Sequence, residues 1–162
     1  MIMSAQFILF WLVLLNSFSI ALIVWAFAKL PSGKIRNGLA LFLFAYILWF
    51  NPSLIVWLEG FDKITVIWIA KFIFAASLFM HSAFGYFIFS FCDEDELKHK
   101  RFYFYQIHNL LFAILSFTDL IVNDVTIDGA RLKFDYGVLH AYTIFSIAAF
   151  GLYIFTILGR SY

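Results

Sequence analysis

Five apolar runs almost free of charge, each close to the length that crosses a bilayer, are separated by short polar clusters, and no other feature limits the fold of this chain so severely. A hydrocarbon core of about 30 Å takes about 20 helical residues, and it offers no water to backbone groups left unpaired. The runs are therefore read as transmembrane helices at about 6–28, 38–58, 64–91, 104–122 and 138–159. Pro31 and Gly33 stop the first, and Lys29, Lys34 and Arg36 meet water beyond it. That run has no basic residue before it and is longer than the core of a secretion signal, so it reads as a retained helix.

Composition removes the competing fold classes. Apolar residues make up 64% of the 162 and charged residues only 13%, too little polar surface for a water-soluble globule to cover itself. Disorder and collagen are excluded by the same figures, and the 11 basic residues sit in scattered small clusters that form no face for nucleic acid. A single cysteine, Cys92, leaves no internal disulfide and no CxxC metal pair. The expected fold is an all-α polytopic membrane bundle of five helices in one membrane domain.

Orientation follows from the basic residues. Lys29, Lys34 and Arg36 follow the first helix, Lys98, Lys100 and Arg101 the third, and Arg160 the fifth. The alternate connectors hold only Lys63, Arg131 and Lys133, a ratio of seven to three, so the N-terminus is expected outside and the C-terminus inside. Tyr103 and Tyr105 at one interface and Trp57 and Tyr136 at the other suit the aromatic belts.

Between the fourth and fifth helices, residues 123–137 have real polar density and strand-like alternation. Asp128-Gly129 between β-prone residues predicts a tight hairpin turn, since both residues tolerate positive φ. A small extracellular β-hairpin is expected, either as a lid over a cavity in the bundle or as a compact connector. Asp93-Glu94-Asp95-Glu96, followed by Lys98, Lys100 and Arg101, reads as a solvated connector.

Ionisable and polar residues within the runs are functional candidates because a bilayer penalises them. Lys71 lies seven residues past Ile64, about 10 Å below the outer surface, and Asp119 lies near the outer end of the fourth helix. They form either an ion pair lining an outward-facing pocket or, more simply, a snorkelling lysine and a helix-end carboxylate. His81 lies about 15 Å from the inner end of its helix and His108 about four residues into the next, a depth difference of about 9 Å that argues against a shared haem or metal. No cofactor is expected. Asn51 precedes Pro52, which removes a helical donor and makes a candidate hinge, with the Asn51 side chain expected to serve the freed carbonyl. Asn16, Ser17 and Ala21 form a small-residue packing face on the first helix.

The layout, Ala45-Tyr46-Ile47-Leu48-Trp49, Trp68-Ile69-Ala70-Lys71-Phe72 and its aromatic-rich continuation carry a resemblance. So do Ser116-Phe117-Thr118-Asp119-Leu120-Ile121-Val122 and the hairpin leading through Phe134-Asp135-Tyr136-Gly137. Together they resemble the N-terminal seven-transmembrane region of bacterial sensor histidine kinases and related signalling proteins, over nearly the whole chain. The resemblance implies a bacterial plasma-membrane location, a homodimer and a cytoplasmic kinase or cyclase module beyond the bundle. It also implies a fragment, since five helices stand where that region has seven.

No P-loop, nucleophile elbow, HExxH or zinc pair is present, and the connectors are too short for a catalytic domain, so the chain is not expected to be an enzyme by itself. The leading expectation is a sensory input region in the lipid bilayer that responds to a small apolar or membrane-associated signal. A small transporter or channel subunit and a structural membrane subunit are the alternatives.

Overall fold

A computed structural model describes residues 5–56, 60–92, 100–128 and 131–160. Five helices and one hairpin follow in the order α1 (Ala5–Lys29), α2 (Lys34–Ile55), α3 (Lys63–Cys92), α4 (Lys100–Leu115), β1 (Val122–Asp128), β2 (Arg131–Tyr136) and α5 (His140–Arg160). Four of the helices, α1, α2, α3 and α5, are long and apolar enough to cross a membrane. Trp57, Gly129 and the Asp93–Glu96 run, all named from the sequence, lie outside the described residues.

Two helices depart from their expected bounds. The second begins at Lys34 rather than about residue 38, because lysine and arginine are good helix formers and the basic cluster simply continues the helix. The fourth begins at Lys100 and stops at Leu115 instead of running over about 104–122, so it has 16 residues and is about 24 Å long. Its end is a tight turn: Phe117 N and Thr118 N donate to the carbonyls three residues back, of Ile114 and Leu115. The hydroxyls of Ser116 and Thr118 donate to the Phe112 and Leu115 carbonyls at the same turn. The chain beyond Thr118, read as helix because it is apolar, turns away into β1.

α3 is the centre of the bundle and packs against α2, α4, α5 and β1, whereas α1 packs chiefly on α2. Small residues on α3 permit this, with Ala70, Ala75, Ala76 and Ala83 all buried. At Gly85 a Cβ would stand 2.6 Å from the Phe150 ring of α5, and at Gly38 of α2 a Cβ would stand 3.0 Å from the Phe87 Cα. α1 buries only Ile8, Ser19 and Ala26 and turns large apolar side chains outward all round, a surface compatible with lipid.

The hairpin is antiparallel, with Val122 opposite Tyr136 and Asp124 opposite Asp135, so Asn123 is an extra residue in β1. That bulge resets the alternation of side chains and lets both Val122 and Val125 point inward, each fully buried. Asp128 pairs with Arg131 and is the last residue of β1, whereas the sequence places it in the turn.

The hairpin is tied back to the end of α4. Gly137 N donates to the Ile121 carbonyl at 3.1 Å and Leu139 N to the Leu120 carbonyl at 2.8 Å. A Cβ on Gly137 would overlap the backbone of Asp119 and Leu120, so the two segments meet at a distance only glycine allows.

Candidate functional site: a polar junction beside the hairpin

α3 starts where Asp62 caps it. Thr65 N donates to Asp62 Oδ1 and Thr65 Oγ1 to Asp62 Oδ2, both at 2.9 Å. These bonds, the backbone donor of Thr65 first, hold the Asp62 carboxyl below the usual carboxylate range. The helix then carries Lys71 two turns inward, where the side chain is only 7% exposed.

Lys71 Nζ donates to Asp119 Oδ1 at 2.6 Å, and the Asp119 side chain is 72% exposed. The simpler assignment from sequence, a snorkelling lysine apart from a helix-end carboxylate, is replaced by a pair. The lysine stays buried and the carboxylate comes to it. Asp119 can do so because it sits in the turn after α4, which Thr118 steadies by accepting a bond from Leu120 N at 3.3 Å. Below the ammonium lies Trp68, with its ring centroid 5.5 Å from Nζ, which adds a cation–π attraction of about 0.5–1 kcal/mol.

A second pair braces the same end. Lys63 Nζ meets Asp124 Oδ2 at 2.7 Å, with the two side chains 54% and 43% exposed. The bond from Lys63, helped by Val125 N, holds the Asp124 carboxyl below its usual range. His140, the first residue of α5, stacks on Tyr136 of the hairpin at 3.7 Å and meets the edge of Phe74 of α3 at 5.2 Å. The junction thus joins α3, the α4 exit, the hairpin and the start of α5.

The other sequence candidates lie elsewhere and do not converge. His81 Nδ1 donates to the Ser77 carbonyl at 2.7 Å within α3. His108 meets the Ser146 hydroxyl of α5 at 3.2 Å and stacks on Phe112 at 4.6 Å. Asn51, expected to serve the carbonyl freed by Pro52, instead accepts a bond from Asn16 Nδ2 of α1 at 2.7 Å. The bond ties α1 to α2 beside the proline turn. Pro52 stands inside the last turn of α2, where the helix continues to Ile55. Among the described residues no three His, Cys, Asp or Glu side chains gather as metal ligands.

Sequence reasoning did not find the Lys63–Asp124 pair, the His140 stack or the Trp68 contact. Loop position alone could have put Lys63 and Asp124 on one side of a membrane, but nothing in their spacing selects them from the other loop charges. No protein-family model matches the chain, and no curated protein or solved structure matches it.

Proposed function

We propose that the chain is the membrane-embedded sensory input region of a receptor of the histidine-kinase type. Its N-terminus and hairpin lie outside, and it passes a shift of helices to a cytoplasmic signalling module. The observation that carries this is the Lys71–Asp119 pair, which couples the hairpin and the α4 exit to the one helix packed against α2, α4, α5 and β1. A small apolar or membrane-associated signal that displaces the hairpin would move Asp119 and leave a buried ammonium uncompensated. Two arrangements of the bundle would then differ in energy, and a ligand that prefers one of them shifts the balance. Pro52 is the proposed hinge in α2, and its place in the last turn confines the swing to the outer end of that helix.

Spin labels at Phe91 of α3 and Phe155 of α5, both exposed near the inner end, test this in proteoliposomes. Asp119→Asn, made at the other end of the bundle, is expected to change their distance distribution. An identical distribution in the wild type and the variant would remove the coupling on which the sensory proposal rests.

A further inference from the structure

A cleft of about 410 Å³ opens between α2, α3 and α4, within the range of small-molecule sites. Its walls are apolar, with Leu41, Phe79 and Leu110 at the sides, and its polar groups come from Ser82, Gln106 and Asn109. Asn109 is 2% exposed, and its Nδ2 donates to Ser82 Oγ at 2.9 Å. Gln106 Nε2 donates to the Ser82 carbonyl at 3.3 Å.

Each carboxamide offers two N–H donors and an oxygen with two acceptor sites. Among the described residues Asn109 and Gln106 each make one hydrogen bond, both directed at Ser82, and no bond engages either amide oxygen. Depth matters here. Ser82 lies ten residues before the end of α3 and Asn109 nine after the start of α4, so both sit about 14–15 Å from that end, within the depth of a hydrocarbon core about 30 Å thick. No water is on hand at that depth to complete the bonds, and an incompletely bonded amide in hydrocarbon is costly.

We infer that the cleft binds an uncharged lipophile whose carbonyl or hydroxyl head reaches Asn109 and Gln106, while its tail lies in the bilayer between α2 and α4. A carbonyl head takes the spare amide N–H groups, and a hydroxyl head also donates to an amide oxygen. Phospholipid headgroups are excluded because they are charged or zwitterionic and held at the interface. The inference uses the bilayer placement proposed above and is independent of whether the chain signals.

The test is photolabelling of the full chain in nanodiscs with a decyl-substituted benzophenone, whose ketone is both the head and the photoreactive group, followed by mass-spectrometric mapping. Labels are expected on the α3 and α4 walls of the cleft, falling at least tenfold with Asn109→Leu and with Leu41→Trp, which blocks the mouth from an exposed position. Gln106→Leu replaces Asn109→Leu if that variant does not fold. Labels spread over the exposed faces of α1 and α5, or undiminished by these variants, would overturn the site. So would complete protection of the cleft by a second copy of the chain. Failure of the bilayer placement is read separately, as release of the protein from membranes at alkaline pH.

Discussion

The two ends of the bundle share apolar packing and differ in what is added to it. At the hairpin end, α3, the α4 exit and β1 are joined by Lys71–Asp119, Lys63–Asp124 and the backbone bonds of Gly137 and Leu139. At the opposite end α3, α4 and α5 meet through Phe89, Phe102, Phe150, Ile154 and Ile157, with Tyr105 stacked on Tyr153 at 5.4 Å. Polar ties have direction and fail at particular geometries. Aromatic packing is tolerant of small shifts and adds about 0.5–1.5 kcal/mol per pair beyond the buried area. One end therefore adds ties that fail at particular geometries to its apolar packing, and the other rests on aromatic packing that yields to small shifts.

The sharpest way to break this contrast is to add one methyl group at each end. Gly137→Ala drives a Cβ into the backbone of Asp119 and Leu120, which cannot give, and should cost about 3 kcal/mol or more by undocking the hairpin. Gly85→Ala meets the far end of the Phe150 side chain, a ring that can swing aside by the better part of an ångström as a backbone cannot, and should cost about 1–2 kcal/mol. Unfolding of both variants in detergent, followed by circular dichroism, measures the pair. Equal losses would mean that the two ends are alike in rigidity.

The helical layout was legible because charge is excluded from spans and because proline and glycine mark their ends. Legibility stopped where a feature depends on what two distant segments do together. The Asn123 bulge cannot be read from β1 alone, since Val122 and Val125 look out of phase until the partner strand fixes the register. The close approach at Gly137 has no local mark, because its neighbour, the turn at Asp119, is set by the early stop of α4. That stop is a change of backbone bonding at Phe117 and Thr118, which hydropathy does not register. The Lys71–Asp119 pair was one of two open alternatives because both residues were placed by depth. Ser82 and Asn109 match in depth as well, but neither carries a charge to mark it among the polar residues of the runs.

A middle-sized effect is expected from the ion pair itself, and it is asymmetric. Asp119→Asn leaves the ammonium buried with a neutral partner and should cost about 1–2 kcal/mol, moderated by the water that Asp119 already sees. Lys71→Met replaces the buried cation by an apolar side chain of similar length and should cost less than about 0.5 kcal/mol while releasing Asp119 to solvent. In both variants membrane insertion should persist. A Lys71→Met variant less stable than Asp119→Asn would show that the lysine is held by packing rather than by its charge.

The smallest effect sharpens the comparison by pH. Asp124 is held below its usual range chiefly by Lys63, so the tie is intact above the ordinary carboxylate value of about 3.9 and is lost as pH falls through the lower folded value. Amide protection at Val125 should therefore be constant from about pH 8 to 5 and decline only below about 4, while protection at Ile154, in the aromatic end, stays level. Because both partners are about half exposed, raising salt should mimic the acid effect at Val125 and leave Ile154 unmoved. Lys63→Met should flatten the pH response of Val125. A decline that survives in that variant would assign the sensitivity to another carboxylate of the hairpin, with Asp135 next to be replaced, since it accepts a 3.4 Å bond from Asn123 and stands opposite Asp124 in the ladder.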